Sequence, residues 1–436
     1  MKIAIIGGGG TRTPILSKGL MELEEDIEIE EISLFDIDRE RLSLISRVLE
    51  GIRPPDSRVR FSFPEDLREA LKGSSFVFLT LRVGKEEMRV LDERIPLSLG
   101  IIGQETVGAG GGALAVRTVP KVLEIARLIE EECPSSWVIN FTNPSGMVTE
   151  ALLNFSSLER VIGICDGPST IKAFLSRFFE VPEEDIFLDY FGLNHLGWVK
   201  GIFVRGEDFL PKLMKYLPMV PEIENVVQFP LDFLQKLKMV PSPYLRYYYF
   251  PEKALKEMLN EPKTRGEKVL EMNLALFSAL REGKGNPVEI YEKYMKQRES
   301  QYGQIKEGFN LEEGEGYIKV ALEVLRGLAG FRVGTPVVNL RNRSAILGME
   351  EDDVVEVPVH LLSGFVRPVS CGRVPEECLD LMKKVKLYEK TLVRAIVEKS
   401  REGIIEALSL NPLVGSKEIA GKLYEEFSRH QAPFWP

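Results

Sequence analysis

The sequence predicts an α/β fold: a doubly wound parallel sheet with a second α+β domain. Three observations predict it. Strand-like and helix-like runs alternate through residues 1–165, and a glycine-rich stretch follows the first strand and opens the first helix. Beyond residue 165 the pattern changes to antiparallel strand pairs and longer helices. Strand–helix alternation at this spacing builds a parallel sheet covered by helices on both faces.

The strand-like runs of the first half are "KIAII" (2–6), "EIEEISLFD" (28–36), "FVFLTL" (76–81), "WVINFT" (137–142) and "RVIGIC" (160–165). Helical periodicity covers 14–22, 39–49, 64–71, 114–131 and 149–154. Ligands of such sheets sit at the carboxyl ends of the strands. Asp36, Arg82, Asn143 and Cys165 all follow strand ends. In the second half, 185–206 reads as antiparallel strands and 265–281 and 288–301 as helices. Further strands are expected at "TPVVNLRNR" and "VVEVPVHLLSG", and helices from 375 to about 430. The division is therefore 1–165, a nucleotide-binding domain, and 166–436, an α+β substrate domain.

The stretch "IIGGGGTRTP" places Gly7, Gly8, Gly9, Gly10 and Thr11 between strand and helix. Glycines let the backbone turn tightly against a pyrophosphate, and the helix start supplies amide N–H groups. Gly7 and Gly9 fit the dinucleotide-binding pattern, while Arg12 occupies its third glycine position. Asp36, at the end of the second strand, suits a ribose diol and disfavours a 2′-phosphate. Together these point to a Rossmann-like domain of the lactate/malate dehydrogenase kind that binds NAD rather than NADP.

Composition narrows the partners. The chain of 436 residues is 44% hydrophobic and 28% charged, with a net charge of −10, which argues against a nucleic-acid or membrane surface. No stretch reaches eighteen uninterrupted apolar residues. Cys133, Cys165, Cys371 and Cys378 have no CxxC spacing, so a cytoplasmic location is expected. The informative pair is Cys165 in "GICDGP" and His195 in "GLNHLGW", one each of four cysteines and three histidines. By residue type alone they are a metal pair, a nucleophile with its base, or buried structural residues. His360, His430, Cys371 and Cys378 are read as structural. "DERIPL" and "GQETVGAGGG" are expected to form a mobile loop over the nicotinamide.

At these two motifs the chain resembles the family-4 glycoside hydrolases, the NAD- and metal-dependent glycosidases, and within them most the 6-phospho-β-glucosidases. The likeness extends through "IAIIGGGGTRTP", "LFDID", "RIPLSLGIIGQETVGAGG", "NFTNPSG", "SPYLRYYY", "NLRNRSAILGM" and "VEVP". It implies that Cys165 and His195 hold a divalent metal, usually manganese. It implies that Tyr244 is the catalytic base, that Asn143 and Asn194 contact substrate, and that Arg89 and Arg265 hold a sugar 6-phosphate. It also implies a homodimer or homotetramer. One position departs: phospho-β-glucosidases often carry asparagine after the metal cysteine and phospho-α-glucosidases aspartate. Here it is Asp166, while the "SPYLRYY" block leans to the β side.

The implied reaction is oxidation at C3 by NAD, removal of the C2 proton by Tyr244, elimination of the glycosidic oxygen, addition of water and return of the hydride. A tyrosine, with an ordinary pKa of about 10, needs a nearby cation to act as a base; the metal and Arg246 are the candidates. Asp166 is expected to protonate the leaving oxygen or to orient the metal's water. Tyr247, Tyr248 and Tyr249 read as packing. Two other classes share the glycine loop: a 2-hydroxy-acid dehydrogenase, which reduces NAD with net turnover, and a non-catalytic NAD-binding protein.

Overall fold

The computed structural model of the protein describes residues 1–219, 228–300 and 315–436. Six parallel strands form the first half: β1 (Lys2–Ile6), β2 (Glu31–Phe35), β3 (Arg60–Ser62), β4 (Phe76–Leu79), β5 (Trp137–Asn140) and β6 (Val161–Gly163). Their order, β3-β2-β1-β4-β5-β6, is that of a dinucleotide-binding sheet. β1 spans the expected 2–6, while β2, β4, β5 and β6 end earlier than their apolar stretches suggest, because the last residues turn into the loops that carry the polar groups.

The alternation of side chains explains the layers. Ile3 and Ile5 share one core with Leu16 and Leu20 of the helix Thr13–Glu22 and with Ile45 and Val48 of the helix Arg39–Ile52. Ala4 and Ile6 point the other way, into a core with Val122 and Ile129 of the helix Gly108–Glu132 and with Val148 and Leu152 of the helix Ser145–Phe155. Both faces are covered, so β1 after Lys2 and all of β4 are apolar.

The second half contributes the hairpin β7 (Ile186–Leu193) and β8 (Leu196–Val204), β9 (Glu207–Asp208), β10 (Val240–Pro241), β11 (Val337–Arg341), β12 (Val354–Leu362) and β13 (Phe365–Pro368). These strands extend the first sheet. β11 pairs with β6 and with β12, and β12 pairs with β7, giving a single sheet of thirteen strands among the described residues. Three helices, Glu376–Val397, Arg401–Leu410 and Lys417–His430, close the chain, as expected from 375 to about 430. The expected helix 288–301 is Pro287–Ser300; residue 301 lies outside the described residues.

One expectation is overturned in part: residues 103–107 form a loop, but the rest of the two motifs does not. "DERIPL" lies inside the helix Lys85–Ser98, and Gly108 to Gly112 form the buried start of the helix Gly108–Glu132 rather than a mobile loop. The glycines there serve close approach. A Cβ on Gly110 would meet the Gln104 carbonyl at 2.3 Å, and one on Gly111 the Thr106 carbonyl at 2.4 Å. No helix among the described residues is long and apolar enough to cross a membrane.

Candidate active site

The glycine loop is built for a close ligand. Gly7 sits at φ +97°, and a Cβ there would fall 2.7 Å from the Thr80 carbonyl oxygen. Gly8 packs on Leu34 of β2. The Asp36 carboxylate accepts the Gly9 N–H at 2.9 Å and the Asp38 N–H at 2.8 Å, which fixes the loop to the end of β2. Burial, only partly offset by these bonds, raises the Asp36 carboxyl above its ordinary range. Gly10 and Thr11 line a cavity of about 230 Å³, and Tyr291 from the second half donates to the Thr11 carbonyl at 2.8 Å.

Arg89, Asn143, Asp166 and Tyr244 line the same cavity, so six of the sequence-predicted residues converge there. Their positions follow from the sheet. Asn143 and Asp166 lie just past β5 and β6, and Asp166 is the first residue of the helix Asp166–Phe179. Tyr244 arrives from the other side. β10 pairs with β8 at Val199 and Trp198, and the Ser242 N–H donates to Gly197 at 2.8 Å, leaving Tyr244 in the short turn Pro243–Leu245.

Gly7, Gly8, Gly9, Asp36, Cys165, Asn194, His195 and Arg265 are not among the residues facing this cavity, though Cys165 directly precedes Asp166 and His195 packs on Tyr244. His195 occupies the two-residue turn between β7 and β8 with φ +62°, a left-handed conformation uncommon outside glycine. Its ring stacks on Tyr244 at 3.9 Å between centroids, with the planes 11° apart. Both ring nitrogens are buried and have no hydrogen-bond partner among the described residues. Burial pushes the imidazole down to about 4, against the opposing charge of Glu105. Cys165 is buried and its thiol donates to Asp166 at 3.7 Å. Burial, then the negative charges of Asp166 and Glu356, push this thiol well up, while Asn194 beside it acts the other way.

A carboxylate ties Arg89 to the residue after Arg265. Glu93 accepts Arg89 Nε at 3.0 Å and the Gly266 N–H at 2.6 Å, placing Arg89 against the start of the helix Arg265–Glu282. Arg89 is buried rather than exposed, and it shares Glu105 with Arg82, at 3.1 Å and 2.6 Å. Burial opposes ionisation of Glu105, but Arg82 and Arg89 outweigh it and hold the carboxyl at about 2. Arg246 is turned away: it bonds Gln228 at 2.9 Å and pairs with Glu257. Tyr249 accepts the Trp198 indole N–H at 3.0 Å, as packing residues do.

The comparisons bear on the family and the fold. Models of the "Family 4 glycosyl hydrolase" and of its C-terminal domain match residues 2–181 and 190–414. The chain belongs to family 4 of the glycosyl hydrolases. It is 32% identical to a 6-phospho-β-glucosidase of Thermotoga maritima over 98% of this chain and 97% of that one. A structure of the T. maritima enzyme with manganese, NAD+ and glucose-6-phosphate superposes with a TM-score of 0.86, at 31% identity and over 100% and 99% of the two chains. A 6-phospho-α-glucosidase from gut microorganisms, solved with NAD and Mn2+, gives 0.83 at 30% identity over 100% and 99%. Malate dehydrogenase of Cryptosporidium parvum gives 0.50 at 14% identity over 91% and 99%, a likeness of fold alone that matches the dehydrogenase-like sheet.

Within this family the residues present fit both cofactors. The glycine cradle, in which added Cβ atoms would collide, suits a pyrophosphate. The His195 nitrogens and the buried thiol of Cys165, which lies beside Asn194 in the same turn as His195, suit a divalent ion. Among the described residues no group of three or more histidine, cysteine, aspartate or glutamate side chains is placed to hold a metal ion. Sequence reasoning missed Glu93, Glu105, Glu356 and Arg298. Glu356 carried a readable signal, an acid inside the apolar run "VVEVPV". Arg298 did not: it sits in the last turn of the helix Pro287–Ser300 and lines the cavity only because that helix folds back onto Thr11.

Proposed function

We propose that this family-4 member hydrolyses 6-phospho-β-glucosides with NAD and a divalent ion, manganese in the related structures, as cofactors. One observation carries the reading: Tyr244, stacked on the unpartnered His195, faces Asp166, Asn143 and Arg89 across one cavity at the carboxyl ends of the strands. Identities of 32%, 30% and 30% to enzymes named for that activity, over 98%, 100% and 98% of this chain, support it. The four cysteines, all buried and unpaired, suit a reducing cytoplasm.

The glycine loop and Asp36 would hold the dinucleotide, and Cys165 and His195 the metal. When bound, the two supply a hydride acceptor for C3 of the sugar and a positive charge beside its hydroxyl oxygens. Asn143 and Asn194 orient those hydroxyls. Tyr244 takes the C2 proton on its phenolic oxygen; its ring, flat against His195, has one direction in which to point that oxygen. Arg246 does not act as its cation, because Glu257 and Gln228 hold it elsewhere. Asp166 gives a proton to the glycosidic oxygen as the bond to the aglycone breaks. Arg89 and Arg265, at a helix start, receive the 6-phosphate, where charged hydrogen bonds and the helix dipole act together.

Asp166 also favours a second reading, cleavage of the α-anomer. Nitrophenyl α- and β-glucosides, each with and without the 6-phosphate, assayed with NAD and Mn2+, decide between them. The expected result is cleavage of the phosphorylated β-glucoside that stops on chelation and produces no net NADH. Cleavage undiminished after exhaustive removal of metal and NAD would overturn the proposal, as would net reduction of NAD by a 2-hydroxy acid.

A further inference from the structure

Four backbone positions line up across the middle of the sheet. Gly163 of β6 pairs with Asn339 of β11, Asn339 with Glu356 of β12, and Glu356 with Gly192 of β7. This row joins the two halves of the chain at the metal site. Cys165 lies two residues beyond Gly163, and Asn194 and His195 lie just beyond Gly192.

Glu356 is 1% exposed and its carboxylate is filled with donors. Tyr190 Oη donates to Oε2 at 2.6 Å. The amides of Asn194 and Asn339 donate to Oε1 at 3.2 Å and 3.1 Å. Asn339 also reaches the Gly163 carbonyl at 3.4 Å, so the carboxylate is tied to the Cys165 strand on one side and to the His195 turn on the other. Glycines make room for this arrangement. A Cβ on Gly197 would lie 2.0 Å from Tyr190 Oη, and one on Gly192 would lie 2.4 Å from the Gly197 Cα.

A carboxyl group buried between strands is costly to desolvate, and an apolar residue of like size would serve the sheet as well. An apolar residue would not hold Asn194. That side chain sits beside Cys165 and directly precedes His195 in the turn. We propose that Glu356 is the positioning residue of the metal site, the brace that keeps the His195 turn in register with Cys165. The proposal rests on Cys165 and His195 holding a divalent ion. Groups that orient metal ligands typically change metal affinity by 10–100-fold when removed.

Two conservative variants separate reach from charge. Glu356→Gln keeps an oxygen for both asparagine amides and loses the charge. Glu356→Asp keeps the charge and withdraws the acceptor by one methylene. Metal-free full-length protein is titrated with Mn2+ alone, and free Mn2+ is read by electron paramagnetic resonance. NAD affinity and thermal unfolding are measured beside it. The expected result is Mn2+ binding about tenfold weaker in Glu356→Asp, a clearly smaller loss in Glu356→Gln, and NAD affinity unchanged in both. Wild-type Mn2+ affinity in Glu356→Asp, or a loss in Glu356→Gln as large as in Glu356→Asp, overturns the brace. Should Glu356→Asp not fold, Asn339→Ala removes the opposite tie and is read with the same expectation and the same overturning result. The metal assignment is tested separately: wild type that binds no Mn2+, or binding that survives both Cys165→Ser and His195→Asn, removes that assignment and leaves the brace without a site.

Discussion

Replacing Glu105 by glutamine tests the electrostatics beneath the active site. Glu105 is 9% exposed and lies between Arg82 and Arg89 at 2.6 Å and 3.1 Å. Its carboxyl is held at about 2 against an ordinary 4.5. That displacement corresponds to about 3 kcal/mol of folding stability at neutral pH. The sign follows from the depressed value: the contribution is complete above pH 4.5 and is lost as pH falls towards 2. Glu105→Gln is therefore expected to cost about 3 kcal/mol at pH 7, with the gap to wild type narrowing by roughly 1 kcal/mol by pH 3.5. Urea unfolding of both proteins from pH 7 to pH 3.5 measures it, and the difference cancels the carboxylates they share. A gap below 1 kcal/mol at pH 7, or one that stays flat with pH, would refute the picture of an ionised Glu105 neutralised by two arginines.

Three further outcomes are expected. Arg89→Ala and Arg265→Ala each lower kcat/KM for phosphorylated glucosides about ten- to a hundredfold and leave unphosphorylated ones little changed, since a charged hydrogen bond contributes about 1.5–3 kcal/mol; equal kcat/KM for the phosphorylated substrate in wild type and both variants places the phosphate elsewhere. Turnover in heavy water puts deuterium at C2 of the product sugar, and Tyr244→Phe slows cleavage and C2 exchange together while NAD still binds; cleavage with no label at C2 removes the elimination route. Asp166→Asn loses more activity on alkyl than on nitrophenyl glycosides, whose leaving groups need little protonation; matching losses on both classes make Asp166 a positioning residue instead.

Several parts of the protein were legible because they are local. The alternation of apolar runs encodes the parallel sheet, since residues a few places apart already show which faces must be buried. The loop from Gly7 to Thr11 and Asp36 are short-range chemistry at the ends of strands, and so are Asn143, Cys165 and Asp166. Local pattern misled where packing overrides it. The glycines from 108 to 112 look mobile in sequence, yet they open a buried helix, and at Gly110 and Gly111 neighbouring carbonyls leave no room for a Cβ. Arg89 and Arg265 look like solvent-facing charges by composition, and Arg89 is buried because Glu93 and Glu105 neutralise it.

What the sequence alone determined is the set of chemical groups and the family in which they recur. Which groups touch was decided only by tertiary structure, because the pairs are distant in the chain and no periodicity links them. β6 finds β11 across 176 residues, joining two halves that read as separate patterns into one sheet. That pairing sets Glu356 between the strand leading to Cys165 and the turn holding His195, and the pairing of β10 with β8 lays Tyr244 on the same histidine. The reason is physical: backbone hydrogen bonds and burial fix strand neighbours in three dimensions, and a site assembled from the ends of several strands exists only once that order is set.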